Sequence, residues 1–405
     1  YKPQGDDARP VIFTLTPYMA DSYHDRAVYF AKRGYAFVLV DCRGRGNSAG
    51  EFEPFASEAR DGHDIVVWLE QQPWCGGAVA MWGGSYAGYN QWLTARECPA
   101  ALKTIAPAAA AYAAVDFPFD KNIFYPYEMQ WLTLVSGVTP NQSLFGEMSW
   151  WYEKYYELYA SKRPFRELDQ IIGNLSTHFQ TWMDHPTPDA YWRPMMMSAE
   201  DYGKINLPVL TITGHYDGDQ NGAMTCYREH MRYGTAEAKE QHYLIIGPWD
   251  HAGTRTPKKD FGGLTFDEAA IIDLNQLHHE WYEWTMGDGP QPEFLKDRVA
   301  YYVMGEETWK YAGSLEQIPV EARRFYLDSS GGKANDAFHS GYLVDEAPAN
   351  SPADSYVYDP LDSRPAEIQR EYIKEHLTNE RYVFNLFGNG LVYHSAPIAE
   401  ATEIT

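Results

Sequence analysis

The chain has 405 residues, of which 33 are Lys or Arg and 56 are Asp or Glu, so its formal net charge is −23. A charge of this sign repels nucleic acids and anionic membrane surfaces, which excludes DNA or RNA binding as the main function and argues against membrane association. Hydrophobic residues make up 44% and charged residues 22%, as in a soluble globular protein. No segment approaches the roughly 20 apolar residues of a membrane span, and the length suggests about two or three domains.

The first 118 residues alternate between strands and helices. Short, nearly continuous apolar runs predict strands that are buried on both faces, and the segments between them have helical apolar spacing. In chain order we predict strand Val11 to Leu15, helix His24 to Arg33, strand Tyr35 to Val40, helix Ser57 to Gln72, strand Ala78 to Trp82, helix Tyr86 to Arg96 and strand Lys103 to Pro107. This alternation indicates an α/β domain with a parallel sheet and helices on both faces.

The pattern is interrupted in residues 119–202, which are dense in Trp, Tyr, Phe, Met and Pro and contain no clear strand. Alternation resumes in residues 203–288 with strand Val209 to Thr213, helix Ala223 to Tyr233, strand Tyr243 to Ile246 and helix Asp267 to Met286. We therefore predict that residues 119–202 form a helical cap inserted into an α/β core made of residues 1–118 and 203–288.

Residues 289–405 have a different character. Short strand candidates are separated there by Gly, Pro, Asn and Ser, which is typical of an all-β sandwich or jelly roll. The candidates are Val299 to Met304, Thr308 to Tyr311, Arg324 to Leu327, Tyr356 to Tyr358, Tyr382 to Leu386 and Gly390 to His394. The predicted fold class is thus an α/β core with an all-β C-terminal domain.

Four cysteines are too few for a disulfide scaffold in a chain of this length. Cys42 and Cys226 are interpreted as buried thiols. Cys75 and Cys98 are expected at the same end of the sheet, so a disulfide between them is one alternative and two free thiols are the other. The spacing of the four cysteines does not indicate a zinc site.

The strongest local signal is the segment from Trp82 to Gly88, which lies between a predicted strand and a predicted helix. A sharp strand-to-helix turn that exposes a nucleophilic serine needs small residues on both sides of it, and here they flank Ser85. Backbone N–H groups at the start of the helix can stabilise a developing oxyanion. The alternative is an ordinary Gly-rich turn in which Ser85 caps the helix.

Two further candidates follow in the chain order Ser, Asp, His. Asp217 and His251 each come directly after a predicted strand, at the carboxyl edge where open α/β sheets place their sites. In this arrangement His251 would accept the proton of Ser85 and Asp217 would orient the imidazole. These three residues are the predicted catalytic triad.

The triad prediction has rivals. Asp219 or Asp250 could replace Asp217 as the acid, and His242 could replace His251 as the base. His242 begins its strand and therefore lies at the wrong end of the sheet, whereas Asp250 could cap a turn beside His251.

Thr16-Pro17-Tyr18 ends the first strand on the same edge, so the Tyr18 phenol could donate to an oxyanion beside the Tyr86 N–H. A packing role for Tyr18 is the alternative. The loop from Asp41 to Ser48 is interpreted as structural rather than anion-binding. No nucleotide-binding motif, dinucleotide fingerprint or metal-ligand cluster is present in the sequence, so we expect neither a cofactor nor a metal.

Taken together, these motifs resemble the CocE/NonD family of serine hydrolases, which includes cocaine esterases, α-amino acid ester hydrolases and X-Pro dipeptidyl-peptidases. The resemblance runs nearly end to end. It is carried by TPY at Thr16, DCRGRGNSAGEF at Asp41, GGSYAG at Gly83, YDG at Tyr216, GPWDH at Gly247, VMGEETW at Val303, YDP at Tyr358 and HSAPI at His394.

The resemblance implies an α/β-hydrolase fold with a helical cap and a C-terminal jelly roll, no cofactor, and catalysis by Ser85, Asp217 and His251. It also implies an oxyanion hole formed by Tyr18 and the Tyr86 amide. Family members continue beyond the stretch that matches HSAPI and begin slightly earlier, so we expect a chain truncated at both ends with an incomplete jelly roll. A cytoplasmic and a periplasmic or secreted location both remain open, as does homo-oligomerisation.

The expected reaction is hydrolysis of a carboxylic ester, an amide or an X-Pro peptide bond in a small molecule or short peptide, through an acyl-enzyme. In amino-ester hydrolases, carboxylates near the acid loop bind the substrate ammonium, and Asp219 is the candidate here. The loop from Asp217 to Asn221 departs from that pattern. Asp116, Asp120 and Glu128, at the entry to the cap, are interpreted as solvated or structural, and a contribution of negative charge to a pocket is the alternative. The alternative function is non-catalytic binding of a ligand or carbohydrate on a hydrolase scaffold.

Overall fold

The computed structural model describes residues 1–371, 377–378 and 381–404. The chain forms two compact units. The first consists of Tyr1–Gly146, Leu175–Lys259 and Phe266–Gln317, and the second of Glu147–Asn174, Asp260–Thr265 and Ile318–Thr405. The predicted cap interval, 119–202, is therefore divided between the two units.

The strands of the described residues are short outside the main sheet. In chain order they are β1 (Arg9–Thr16), β2 (Ala36–Asp41), β3 (Cys75–Gly84), β4 (Leu102–Ala108), β5 (Phe119–Asp120), β6 (Ile123–Phe124), β7 (Val209–Tyr216), β8 (His242–Asp250), β9 (Asp260–Phe261), β10 (Leu264–Thr265), β11 (Val299–Val303), β12 (Thr308–Ala312), β13 (Tyr326–Asp328), β14 (Gly341–Val344) and β15 (Tyr393–His394).

The helices alternate with the strands of the core and fill much of the predicted cap. In chain order they are α1 (His24–Ala31), α2 (Glu58–Glu70), α3 (Tyr86–Arg96), α4 (Tyr127–Leu134), α5 (Gln142–Phe145), α6 (Met148–Ala160), α7 (Leu168–Ile172), α8 (Thr177–Asp184), α9 (Ala199–Lys204), α10 (Gln220–Tyr233), α11 (Ala236–Glu240), α12 (Leu274–Met286), α13 (Arg364–Glu371) and α14 (Arg381–Phe384). None of the helices among the described residues is both long and apolar enough to cross a membrane.

The first unit is built on an eight-stranded sheet in the order β12-β11-β8-β7-β4-β3-β1-β2. All neighbours run parallel except β11 and β12, which are antiparallel. The predicted α/β class with a largely parallel sheet is confirmed. Each strand predicted in residues 1–118 and 203–288 overlaps an observed strand of this sheet.

The sheet is buried because helices cover both of its faces. On one face α1 and α12 contribute Phe30, Trp281 and Tyr282 to a core that includes Ile12 and Phe37 of the strands. Helix α3 carries the elbow and is buried from Tyr86 to Ala95, because α2 packs closely against it. A Cβ at Gly62 of α2 would lie 1.9 Å from the Thr94 hydroxyl oxygen of α3, so only glycine permits this approach.

One domain assignment from the sequence is wrong. The strands at Val299 and Thr308 were expected to open the C-terminal β domain, but β11 pairs in parallel with β8 and β12 completes the edge of the main sheet. The apolar run of β11 explains the difference, because Val299 and Ala300 are fully buried, as in the other parallel strands.

The second unit contains a three-stranded sheet in the order β13-β14-β15. The strand predicted from Tyr382 to Leu386 is wrong for its first part, which lies in helix α14, and Tyr356 to Tyr358 is not a strand. The jelly roll stays a prediction. Cys75 and Cys98 are free thiols, so the alternative of a disulfide between them is not what the structure has.

Candidate active site

Ser85 lies at a strained turn between β3 and α3. Its backbone has φ 61° and ψ −127°, in the region that non-glycine residues avoid at a cost of about 1–3 kcal/mol. Its N–H donates to the Ala108 carbonyl at 2.9 Å, which ties the turn to β4. The strain places the hydroxyl at the carboxyl edge of the sheet and at the N-terminus of a buried helix.

The small residues of the predicted elbow are required by its packing. Gly83 has φ +150°, and a Cβ there would lie 2.7 Å from the Ala87 methyl carbon. A Cβ at Gly88 would lie 2.8 Å from the Ala108 carbonyl oxygen. Both distances are shorter than a van der Waals contact. The turn therefore requires the small residues that the sequence places around Ser85.

Asp217 and His251 meet at the same edge. Asp217 Oδ1 lies 2.7 Å from His251 Nδ1, and the second carboxylate oxygen accepts from the Thr213 hydroxyl at 3.1 Å. The Asp217 side chain is fully buried, whereas 37% of the His251 side chain is exposed. A carboxylate that is shielded from water therefore holds an imidazole that is partly exposed.

Electrostatics favour the protonated form of His251. Burial lowers the pKa of its imidazole, but the nearby carboxylates of Asp219 and Asp217 outweigh this effect and leave the pKa above its ordinary value. A raised pKa strengthens the imidazole as a proton acceptor, which suits a general base.

Asp219 is a second carboxylate beside the imidazole. Its Oδ2 lies 3.7 Å from His251 Nδ1, and its backbone N–H donates to Asp217 Oδ1 at 3.0 Å. Burial raises the pKa of Asp219 to about 8, even though the charge of His251 works in the opposite direction. Asp219 thus supports the pair of His251 and Asp217 rather than replacing Asp217.

Asp116 makes structural hydrogen bonds and also lines the cavity described below. It accepts from the Tyr112 N–H at 2.8 Å and from the Gly222 N–H in the first turn of α10. Burial raises its pKa to about 7. Glu128 is also buried and accepts from the Tyr125 N–H at 2.6 Å, whereas Asp120 accepts from the Asn221 side chain at 3.4 Å.

Tyr18 lies two residues beyond the end of β1 and lines the same cavity as Ser85, whose side chain acts on the pKa of the Tyr18 phenol. The Tyr18 hydroxyl oxygen accepts from Trp131 Nε1 at 2.9 Å. Burial raises the pKa of the phenol to about 12, so it carries its proton at neutral pH. A neutral phenol in the same cavity as Ser85 is chemically suited to donate to an oxyanion.

The Tyr86 amide occupies the first position of α3, where helical N–H groups have no acceptor within the helix. Its phenol is held on the other side of the turn: it donates to Glu58 and accepts from the Phe55 N–H at 2.5 Å. Burial raises the pKa of Glu58 to about 7. The amide donor is therefore fixed by its own side chain.

Ser85, His251, Tyr18 and Tyr86 line one cavity of about 450 Å³. The rest of its lining combines aromatic side chains with two carboxylates: Phe55, Ala111, Asp116, Phe117, Tyr125, Tyr127, Trp131, Gly218 and Asp219. All of these residues belong to the first unit. The structure thus brings every predicted site residue except Asp217 to the lining of one cavity, and Asp217 is hydrogen-bonded to His251 of that lining.

The rival residues lie elsewhere or act differently. His242 bonds to Thr211 and His230 at the opposite end of β8. Asp250 accepts from the Gly253 N–H at 2.7 Å and caps a turn. In the loop from Asp41 to Ser48, the Asp41 carboxylate accepts from the Ala20 and Asn47 N–H groups, a structural role.

Sequence reasoning missed the contributions of Trp131 and Glu58. Trp131 lies in α4 and Glu58 in α2, far along the chain from the residues they contact, and no local motif marks either one. Among the described residues, no group of three or more His, Cys, Asp or Glu side chains could hold a metal ion.

A largely parallel sheet with a serine at a strained strand-to-helix turn and an Asp–His pair at its carboxyl edge is typical of the class of α/β-hydrolases. Residues 1–253 match the family described as X-Pro dipeptidyl-peptidase (S15 family). The match covers more than half of the chain, and the chain belongs to this family, whose members are hydrolases.

Curated relatives include esterases. The chain is 27% identical over 389 residues to a cocaine esterase from Rhodococcus sp., covering 90% of this chain and 65% of the relative. It is 28% identical over 379 residues to a protein named as a serine esterase of Mycobacterium bovis, covering 82% of this chain and 55% of the relative. The chain thus spans less than two thirds of the length of these relatives.

Solved structures share the fold. An aminopeptidase from a marine sediment archaeon, Thaumarchaeota archaeon, superposes with a TM-score of 0.70 at 21% identity, covering 89% of this chain and 62% of the other. An α-amino acid ester hydrolase superposes with a TM-score of 0.70 at 19% identity and the same coverage. These similarities confirm the predicted α/β-hydrolase fold and the CocE/NonD resemblance.

Proposed function

We propose that the protein is a serine hydrolase that cleaves a carboxylic ester or amide bond through an acyl-enzyme on Ser85. The observation that carries this proposal is the position of Ser85 on a strained elbow in the same cavity as the hydrogen-bonded pair of His251 and Asp217. Strain of this kind persists where surrounding structure maintains it and is typical of active sites.

In the acylation step, Ser85 Oγ attacks the substrate carbonyl carbon while its proton passes to His251 Nε2. Asp217 keeps the Nδ1–H of His251 hydrogen-bonded, and its buried carboxylate stabilises the imidazolium. The carbon–heteroatom bond of the tetrahedral intermediate then breaks, and the leaving alcohol or amine takes the proton from His251.

Deacylation repeats these steps with water. His251 removes a proton from the water molecule, the resulting hydroxide attacks the acyl carbon, and Ser85 Oγ leaves with the proton held by His251. The Tyr18 hydroxyl and the Tyr86 N–H donate to the oxyanion in both steps. Two donors fixed before the substrate arrives stabilise the transition state without a cost of reorganisation.

The aromatic part of the lining favours an apolar acyl or leaving group. We assign the role of a cap to the part of residues 119–202 that belongs to the first unit, because Tyr125, Tyr127 and Trp131 line the cavity together with core residues. Names of relatives and neighbours include esterases and peptidases, so an ester and a short peptide such as an X-Pro substrate both belong to the proposed substrate class.

Asp219 is proposed to contact a positively charged group of the substrate. It lines the cavity near Asp116, and a substrate ammonium would favour the ionised form of both carboxyls. Replacing Asp219 with Asn tests this by comparing a free-amine ester with its N-acylated counterpart. A loss confined to the free-amine ester supports the contact, and equal losses on both esters contradict it.

The proposed function is tested by labelling with a fluorophosphonate, which reacts with activated serine nucleophiles. We expect stoichiometric labelling of the peptide that contains Ser85 and none in Ser85→Ala. Absence of labelling in folded wild-type protein would contradict the proposal and favour the alternative of a binding protein on a hydrolase scaffold.

A further inference from the structure

Trp131 donates its indole N–H to the Tyr18 hydroxyl oxygen at 2.9 Å. We infer that Trp131 is a positioning residue of the reaction, which turns the Tyr18 hydroxyl so that its proton faces the substrate oxyanion. This inference rests on the proposed function, because it assigns a task to a side chain that acts through the oxyanion donor Tyr18.

The chemistry of the two groups gives the hydrogen bond its direction. An indole N–H can only donate, so the phenol oxygen must accept on the side that faces Trp131. A phenol has a single proton that rotates about the C–O bond. With the Trp131 side occupied by a donor, that proton is left to point into the cavity that Tyr18 lines together with Ser85. An oxyanion formed on a carbonyl attacked by Ser85 arises in the same direction.

Trp131 is held rigidly enough to perform this task. It is 4% exposed and stacks on Tyr86 with a ring-centroid separation of 5.7 Å and an interplanar angle of 17°. It also stacks on Phe55 at 6.0 Å. The Trp131 indole is therefore packed against Tyr86 and Phe55, and its N–H is directed at the Tyr18 hydroxyl.

Tyr86, the main stacking partner, is itself fixed. Its phenol bonds to the buried Glu58 and to the Phe55 N–H. Because Tyr86 also supplies the second proposed oxyanion donor from its backbone, the ring stack connects the two donors. A displacement of Trp131 would disturb the geometry of both.

Arg45 links the segments that carry Tyr18 and Trp131. Its buried guanidinium donates to the Pro17 carbonyl from Nε and to the Val135 carbonyl from Nη1, each at 2.9 Å. Pro17 precedes Tyr18, and Val135 follows the last residue of α4, the helix of Trp131. The Arg45 side chain thus sets the separation between the segments of Trp131 and Tyr18. This is a structural role for the loop from Asp41 to Ser48, and it requires no bound anion.

A double-mutant cycle tests the inference with p-nitrophenyl acetate, whose small acyl group makes few contacts with the pocket wall. Trp131→Phe keeps an aromatic ring for stacking and removes the N–H donor. We expect kcat to fall about three- to tenfold with KM nearly unchanged, as for loss of one neutral hydrogen bond. Tyr18→Phe should lower kcat about 100-fold. In the double variant, Trp131→Phe should add less than about a twofold loss, because its partner is gone.

The matched control is Trp192→Phe. Trp192 is fully buried, and its indole N–H donates to the His185 carbonyl at 2.8 Å, away from Tyr18. We expect its kcat to remain near that of wild type. Independent losses in the double variant, an unchanged kcat in Trp131→Phe, or an equal loss in Trp192→Phe would each overturn the inference.

A second measurement does not require Trp131→Phe to fold. The indole ¹H–¹⁵N resonance of Trp131 should shift upfield in Tyr18→Phe, because its acceptor is lost, while that of Trp192 stays in place. An unmoved Trp131 resonance would contradict the hydrogen bond. Turnover that persists in Ser85→Ala would instead contradict the proposed function, so the two failures are distinguishable.

Discussion

The two ends of strand β8 each place a histidine beside hydrogen-bonding partners, but the partners differ in charge. At the carboxyl end, His251 lies 2.7 Å from Asp217 and 3.7 Å from Asp219. At the amino end, His242 lies 2.9 Å from the Thr211 hydroxyl and 2.9 Å from His230, and it is fully buried.

The difference in charge sets the two pKa values apart. Carboxylates raise the pKa of His251, whereas burial, together with the charge that His230 can acquire, lowers the pKa of His242 well below its ordinary value. A histidine that stays neutral across the physiological range cannot cycle a proton, so it can only pack and bond. The comparison teaches that the partner charge, not the residue type, separates a candidate base from a core residue.

The contrast between His251 and His242 would be contradicted most directly if substituting either histidine changed the kinetics to the same extent. We expect His251→Gln to lower kcat/KM for p-nitrophenyl acetate by about 10⁶-fold, as for loss of the base in a serine-hydrolase triad. His242→Gln should stay within about twofold, because His242 touches no reacting atom. A large kinetic loss in His242→Gln, with its fold intact, would contradict the assignment of the base.

The acidic residues near His251, at the carboxyl end of β8, test the same contrast. Asp217→Asn should lower kcat by about 10⁴-fold, because the imidazole loses the buried carboxylate that fixes its tautomer. The matched control is Asp250→Asn, which removes a carboxylate that caps a turn one residue before His251. Steady-state kinetics of both variants provide the test. Comparable losses of kcat in Asp217→Asn and Asp250→Asn would contradict the assignment of Asp217 as the acid of the triad.

A smaller effect is expected from Asp219→Asn, observed in the pH profile of kcat/KM. Activity rises with pH as His251 loses its proton. Asp219, whose buried carboxyl titrates in the same pH range, raises the pKa of that step to the extent that it is ionised. Removing this carboxyl lowers the pKa of His251, so the acid limb of the profile should move to lower pH. The values of kcat/KM on the plateau above this limb should remain similar. The other ionisable groups that act on His251 are Asp217 and Arg255, and both are retained. A limb that stays in place would show that Asp219 does not act on His251.

The smallest effect concerns stability at the amino end of β8. A histidine with a lowered folded pKa makes the folded state less stable as the pH falls below about 6.5, because only the unfolded chain takes up the proton. The stability difference between wild type and His242→Gln should therefore move in favour of the variant by up to about 1.4 kcal/mol per pH unit below 6.5. At pH 7.5 the variant should be about 1 kcal/mol less stable through the lost hydrogen bond.

Urea denaturation at several pH values measures this difference. Buried carboxyls with raised pKa, such as Glu58 and Asp116, change stability in the opposite sense, since their stabilising effect is lost as the pH rises. They are present in both proteins and cancel in the comparison. A difference that does not change with pH would contradict a neutral, buried His242.

Much of the core fold was predictable from the sequence because its signals are local. Parallel strands buried on both faces leave continuous apolar runs, and the elbow needs small residues at fixed offsets from Ser85. The placement of Asp217 and His251 followed from the rule that parallel strands share a carboxyl edge. The same rule placed His242 at the other end.

Contacts between distant segments could not be predicted. Nothing near Trp131 in the chain indicates that its indole meets Tyr18, 113 residues earlier. The assignment of β11 and β12 to the C-terminal domain was wrong for a related reason. Short apolar runs separated by turn residues have the same sequence pattern whether they complete the main sheet or begin another one. Only the partner strand β8 decides between these outcomes.

The most direct test of acyl-enzyme formation on Ser85 is the pre-steady-state release of p-nitrophenolate from p-nitrophenyl acetate. We predict a burst of one nitrophenolate per chain, an acetyl group on the peptide containing Ser85 by mass spectrometry, and neither in Ser85→Ala. A burst that persists in Ser85→Ala, or an acetyl group on another residue, would contradict the account.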